Sequence, residues 1–188
     1  MRFSDHEWIA ATPRQTWNAL HDPAALQYCL HDCRSVTRRP DNGVEVVFDT
    51  SANDAASQFE GTILVESSQA PRRLHVVFNG AGPHAGLTIG YAKIELEAGE
   101  HGGTRLGYEL EAAAGGALAR LGADELDKRA RRHLQGFFLR LNEVAKRQPG
   151  ADPIEPPAPT KGGRGFGSWL LALIVLAIIV GYFVLVRP

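Results

Sequence analysis

Apolar and polar residues alternate with period two over several stretches in the middle of the chain. Val44, Val46 and Phe48 alternate with Glu45, Val47 and Asp49. Phe59, Gly61, Ile63 and Val65 alternate with Glu60, Thr62, Leu64 and Glu66. The same holds for Leu74, Val76 and Phe78 and for Leu106, Tyr108 and Leu110. Such patterning predicts antiparallel strands with one apolar and one wet face. Between Leu87 and Leu96 the apolar parity switches, from Leu87, Ile89 and Tyr91 to Ala92, Ile94 and Leu96, which predicts a bulge or bend in a long strand. Phe3 to Ala10 reads as a first strand with imperfect alternation, and about six antiparallel strands are expected after the short helices.

Two helical regions frame the strands. Thr12-Pro13 is a helix-start signal, with Thr12 as capping residue and Pro13 at the first helical position. Trp17 and Leu20 form the buried stripe of a short helix ending near His21; Asp22-Pro23 restarts a second, ending around Cys29 or Leu30. From Gly116 to Arg147 the pattern becomes helical, with Leu118, Leu121, Leu126, Leu134, Phe137, Phe138, Leu141 and Val144 on one broad stripe.

The chain's last stretch has a different pattern. From Gly165 to Val186 no side chain is charged, and Trp169–Val186 is apolar on every face. As a helix it would rise about 27 Å, close to the hydrocarbon thickness of a bilayer. Residues 168–188 are therefore expected to be a transmembrane anchor, with Leu173, Leu176 and Ile179 in the lipid and Trp169 and Tyr182 towards the interfaces. Lys146, Arg147, Lys161 and Arg164 precede it and only Arg187 follows, so the positive-inside bias keeps the N-terminal part in the cytoplasm, at the inner membrane. Met1 to Glu7 has no apolar stretch of signal-peptide length, which agrees. Residues 149–167, rich in proline and then glycine, form an extended linker, leaving residues 1–148 as one domain.

The net charge of −1 makes nucleic acid an unattractive partner. Two cysteines, Cys29 and Cys33, are too few for a disulfide framework. With His31 they offer two thiolates and an imidazole, and a four-residue spacing would put both sulfurs on one helix face, but a fourth metal ligand is not evident. The inward parity of the strands carries almost no acid, base or nucleophile, which argues against catalysis. His75, Glu60 and Glu109 fall on the opposite parity; His84 sits in a loop. Among Lys128, Arg129, Arg131 and Arg132, interleaved with Asp124, Glu125 and Asp127, a solvated helix face is expected, with anionic headgroups or an acidic partner as the alternative.

Strand, two short helices, antiparallel strands and a long closing helix is the order of the helix-grip fold: α+β, a curved antiparallel sheet around a long C-terminal helix. Pro13 to Pro23 leading to Cys29-Leu30-His31-Asp32-Cys33, then Phe59-Glu60-Gly61-Thr62, Gly103-Thr104-Arg105-Leu106, Gly116 to Gly122 and Phe137-Phe138 carry a further likeness. The sequence resembles the carbon monoxide dehydrogenase G-subunit family of the START-like (SRPBCC) superfamily. It departs at His31-Asp32, where the family usually has Pro-Gly, and at Ser51 to Ser57, where a Gly-rich lead-in is usual.

The resemblance implies a non-catalytic accessory without cofactor or metal. Such a protein would recruit a molybdenum hydroxylase to the membrane and hold a hydrophobic small molecule, a quinone or lipid, in its interior. The expected lining is Phe48, Phe59, Ile63, Val76, Phe78, Tyr91, Tyr108, Leu110, Leu121 and Phe137. Periodicity alone does not separate such a cavity from a filled core, so a ligand-free scaffold stands as the alternative. A cyclase- or hydrolase-type enzyme is the third.

Overall fold

The computed structural model describes residues 2–41, 43–52, 55–82, 86–99, 102–115 and 123–149. Strand β1 (Arg2–Ile9) is followed by helices α1 (Pro13–His21) and α2 (Pro23–Cys29), then strands β2 (Cys33–Arg38), β3 (Gly43–Ala52), β4 (Ala55–Gln69), β5 (Arg73–Gly82), β6 (Gly86–Ala98) and β7 (Thr104–Ala114). Helix α3 (Ala123–Ala145) closes the domain. The seven strands form one antiparallel sheet in the order β1-β7-β6-β5-β4-β3-β2. The expected α+β architecture is therefore present.

The helix starts follow the sequence signals. Thr12 Oγ1 accepts from the Gln15 N–H, and the Gln15 side chain accepts from the Thr12 N–H at 3.0 Å, a reciprocal capping box. Asp22 ends α1 and caps α2 through its carboxylate, which accepts from the Ala24 N–H at 3.0 Å. The C-terminal end of α3 is tied to α1: Asn18 donates to the Pro149 carbonyl, and Asn142 accepts from the Ala10 N–H. Thr16 and Thr104 form a buried hydroxyl relay that ends on the Ala11 carbonyl, so the β6–β7 turn is fixed to this same end.

Helix α3 presents Ala130, Leu134, Phe137, Phe138, Leu141 and Ala145 to the interior. They join Leu20 and Leu26 of the short helices and the inward residues of every strand from β3 to β7 in one apolar core. Burial of this kind contributes roughly 25 cal/mol per Å² and holds the helices against the sheet.

Among the described residues β1 and the six strands after the short helices agree with the expected number; β2, which alternation did not locate, pairs with β3 along the sheet's edge although Val36 is its only aliphatic residue. Two sequence expectations need correction. Strand β6 has no bulge, since it pairs in continuous register with β5 and with β7. Leu87 and Ile89 instead point to the outer face, 59% and 51% exposed, while the ladder shifts in β4 between Val65 and Ser67 and in β2 between Cys33 and Ser35. The two cysteines do not share a helix face: Cys29 ends α2 and Cys33 opens β2. Among the described residues no helix is long and apolar enough to cross a membrane. The expected anchor, including Trp169, Leu173, Leu176, Ile179 and Tyr182, lies outside them, as do Leu118, Leu121 and Gly122.

Candidate functional site

The inward face of the sheet, covered by α3, is the candidate site. Cross-strand register fixes its rows. Phe48 lies opposite Phe59, Ile63 opposite Phe78, Val65 opposite Val76, and Ala92 opposite Leu110. Phe137 enters from α3 and meets Phe138 edge-on at 5.5 Å between ring centres; Phe138 in turn lies 5.2 Å from Tyr108. Phe48, Phe59, Ile63, Val76, Phe78, Leu110 and Phe137 are all buried in one cluster, so seven of the ten expected lining residues come together. Tyr108 joins them half-buried, at the side where β1 borders the helix.

Tyr91 does not belong. The unbroken register of β6 turns it outwards, where its hydroxyl donates to the Glu111 carboxylate at 3.0 Å and Lys93 stands 5.3 Å from its ring. Leu121 falls outside the described residues.

Between the two aromatic rows runs a row with little side-chain volume. Val46 pairs with Gly61, Gly61 with Gly80, Gly80 with Thr88, and Thr88 with Ala114. Gly61 and Gly80 are buried on the inward face, so at these two positions the row supplies backbone only. Phe78 leans over Gly90, where an added Cβ would come within 2.3 Å of the ring, and Phe59 leans over Gly82 in the same way at 2.9 Å. Thr88 is fully buried and its hydroxyl has no hydrogen-bond partner among the described residues. Neither the glycine row nor Thr88 is among the lining residues expected from sequence. Inward-parity glycines in two adjacent strands are a readable signal, but only once the strands are aligned with each other.

Ionisable groups reach the inward face at its rim. Asp5 and Glu7 share the inward parity of Phe3 and Ile9 on β1 and pair with Tyr108 and Leu106 of β7. Burial pushes the Tyr108 hydroxyl up to about 12, and the negative charges of Asp5 and Glu7 act in the same direction. Glu7 is itself raised by burial, then by Asp5. Arg131 pairs with Asp127 at 2.8 Å and lies 5.7 Å from the Phe3 ring. On the opposite parity, Glu60 is exposed, His75 meets Glu66 at 2.7 Å, and Glu109 pairs with Arg2 and Lys93. An open groove on that outer face, about 580 Å³, passes over Gly107 and is lined by charged residues such as Lys93, Glu95 and Arg105.

The cysteines carry thiols. Burial raises Cys29 to about 12 and Cys33 to about 12, and the Cys33 thiol donates to the Ser35 carbonyl at 3.4 Å. A metal takes the thiolate, so these two groups are poor ligands as placed. Among the described residues no cluster of three or more His, Cys, Asp or Glu side chains could hold a metal ion. His21, unremarked in the sequence, stacks on Trp17 at 4.3 Å, and burial lowers it to about 4.

An antiparallel sheet gripping a long helix over an apolar interior defines an α+β domain of the helix-grip, START-like class. The family model of CoxG, the G subunit of carbon monoxide dehydrogenase, matches residues 6–146, and the chain belongs to that family. No curated protein sequence matches the chain. Among solved structures, a conserved protein from Geobacillus kaustophilus superposes with a TM-score of 0.71 at 21% identity, over 79% of this chain and 97% of that one. A protein from Rhizobium loti gives 0.57 at 14% identity, over 74% of this chain and 96% of that one. One from Mycobacterium smegmatis gives 0.57 at 16% identity, over 76% and 89%. Likeness at these identities shows the fold.

Proposed function

We propose that this chain is a membrane-tethered accessory protein that holds a hydrophobic molecule of the quinone or lipid class and recruits a molybdenum hydroxylase, such as carbon monoxide dehydrogenase, to the inner membrane. The observation that carries the reading is family membership over residues 6–146. The inward face suits it: aromatic rows flank buried glycines, and the charged groups of the described residues sit at the rim or on the outer face. Residues 168–188 would be the anchor and 149–167 the reach, with the domain in the cytoplasm. On this reading the domain is a binding module rather than an enzyme, in keeping with an apolar core cluster that, among the described residues, carries no carboxylate or imidazole.

Mass spectrometry of an organic extract from purified residues 1–149, made in cells that contain quinones, tests the guest. A stoichiometric isoprenoid quinone or lipid supports it, and an empty extract from folded protein overturns it. Deleting residues 168–188 should move the protein to the soluble fraction; retention in the membrane pellet would refute the anchor.

A second reading is a ligand-free scaffold. It is favoured by the complete burial of Phe48, Phe59 and Ile63, which pack as a filled core would. A scaffold would retain its hydroxylase partner in a pull-down while its folded state takes up no apolar fluorescent probe.

A further inference from the structure

The outward side of α3 is basic. Between Lys128 and Arg147 the sequence carries seven lysines and arginines against one acid, Glu143, in a chain whose net charge is −1. The other acids of the helix, Asp124, Glu125 and Asp127, belong to its first two turns. Asp127 is held by Arg131 at 2.8 Å, and the Glu143 carboxylate accepts from the Tyr28 hydroxyl at 2.9 Å. Arg140 is tied into the fold by donating to the Cys29 carbonyl at 3.0 Å. Lys128, Arg132 and Lys146 are exposed and have no side-chain partner among the described residues.

Helical geometry gathers these three cations. At about 100° per residue they lie within about 20° of a line drawn along the helix through Leu139, with Lys128 and Lys146 about 27 Å apart on it. Ala130, Leu134, Phe137 and Leu141, buried against the sheet, face the other way. Leu139 is 70% exposed, more than any other large apolar side chain among the described residues. A lone exposed leucine is ordinary. Set in a row of cations, it gives the ridge both the charge and the apolar point that bind the surface of an anionic bilayer. Such a surface also relieves the repulsion between like charges one turn apart, as at Lys128 and Arg132.

The ridge ends where the domain ends. Lys146 and Arg147 are followed by Gln148 and Pro149, whose carbonyls accept from Gln15 and Asn18, and the chain then runs through residues 150–167 to the apolar stretch 168–188. A basic cluster on a helix beside a membrane segment is the pattern that draws anionic lipid. The far side of the domain has no comparable field: on the outer face of the sheet Arg2, Arg73, Lys93 and Arg105 are each paired with a glutamate.

We propose that α3 lies along an anionic lipid surface, with Lys128, Arg132 and Lys146 among the headgroups and Leu139 inserted between them, the sheet being turned away. The inference rests on the anchor reading above for its placement and adds to it a docking face and a lipid class.

The test uses the full chain in phosphatidylcholine nanodiscs made with and without phosphatidylglycerol. An environment-sensitive nitrobenzoxadiazole dye is attached at Leu139→Cys or, on the outer face, at Glu60→Cys, with the unsubstituted chain as the labelling blank for its own buried thiols. The dye at 139 should shift to the blue on the anionic discs alone, and the dye at 60 should read water on both. Salt at about 1 M, where the screening length is about 3 Å, should reverse the shift. Lys128→Gln, Arg132→Gln and Lys146→Gln together should abolish it; should that variant not fold, the salt titration carries the same comparison. A dye at 139 that reads water on both discs, in a chain that co-elutes with them, overturns the docking face and leaves the anchor standing. An equal shift on both discs, or an equal shift at 60, also overturns it. A chain that co-elutes with the anionic discs alone supports the face and overturns the anchor, and one that co-elutes with neither overturns both.

Discussion

Two glycines with the same clash distance should respond very differently to alanine. At Gly90 an added Cβ would lie 2.2 Å from the Glu111 carbonyl oxygen and 2.3 Å from Phe78 Cζ. The carbonyl belongs to the β6–β7 ladder, where Tyr91 pairs with Glu111, and Phe78 is only 3% exposed. Neither can move without opening the sheet or the core. Overpacking at such a site costs about 3 kcal/mol. At Gly103 the added Cβ would meet Trp8 Cζ2 at 2.2 Å, but the nearest atoms are all in that indole, which is 51% exposed and can swing into water. The loss there is about 1 kcal/mol, offset by the 0.4–1 kcal/mol that Gly→Ala removes from unfolded-chain entropy. With a urea slope of about 2 kcal/mol/M, Gly90→Ala should lower the unfolding midpoint by about 1.5 M and Gly103→Ala by under about 0.5 M. Urea titration followed by far-ultraviolet circular dichroism reads both. Phe78→Leu added to Gly90→Ala should recover part of the loss, the carbonyl clash remaining. Equal midpoints for the two single variants would refute the reasoning that mobility of the struck atom, not distance, sets the cost.

Phe137→Ala, which empties a ring site packed between α3 and the sheet, should cost about 3–5 kcal/mol, read by the same titration. His21 sits at about 4 in the folded chain against 6.5 for an ordinary histidine, so the unfolded state binds the extra proton. Its contribution is complete above the unfolded value and is lost as pH falls from about 6.5 towards 4, a difference of about 3 kcal/mol. His21→Phe, which keeps the stack on Trp17, should flatten that part of the stability profile relative to wild type; parallel profiles would contradict it. Tyr91→Phe removes only an outer-face hydrogen bond to Glu111 and should change stability by less than about 0.5 kcal/mol, with uptake of an apolar probe unchanged. Phe78→Asp should abolish that uptake, and an unaltered titration in a folded variant would exclude Phe78 from the lining.

What could be seen in the sequence was local. Thr12-Pro13 with Gln15 fixed the start of α1, and Asp22-Pro23 the start of α2, because a cap needs only residues within one turn. Alternation located β3, β4, β5 and β7 and placed Phe48, Phe59, Ile63, Val76 and Phe78 inside. Strand β2 escaped because an edge strand can form with little apolar patterning: Arg34, Thr37 and Arg38 are exposed. Leu87, Ile89 and Tyr91 misled for a related reason. Exposed apolar residues are ordinary on protein surfaces, so parity alone does not say which face they occupy; only the ladders to β5 and β7 do. The same limit hid the glycine row. Gly61 and Gly80 become neighbours only when β4 and β5 are aligned, and Thr88 stands out only when its hydroxyl is found without a partner among the described residues.

The ends of the domain then acquire different roles. Asn18 and Gln15 hold the chain's exit at Gln148 and Pro149, and Thr16 and Thr104 bind the β6–β7 turn to that end. Thr88 lies ten residues along β6 from Ala98, the partner of Thr104, which is about 33 Å of strand. A guest entering near Thr88 therefore enters far from the tether. An eighteen-residue proline- and glycine-rich linker from 150 to 167 reaches about 55 Å when extended, more than the length of the strand. If residues 168–188 sit in a bilayer, the domain can lie over on α3 and bring the Thr88 end to the same membrane. Shortening the linker to six residues, about 19 Å of reach, should then slow loading of a decyl-substituted benzoquinone from nanodisc lipid while leaving its equilibrium affinity unchanged. Loading at the wild-type rate would mean that the guest does not enter at this end.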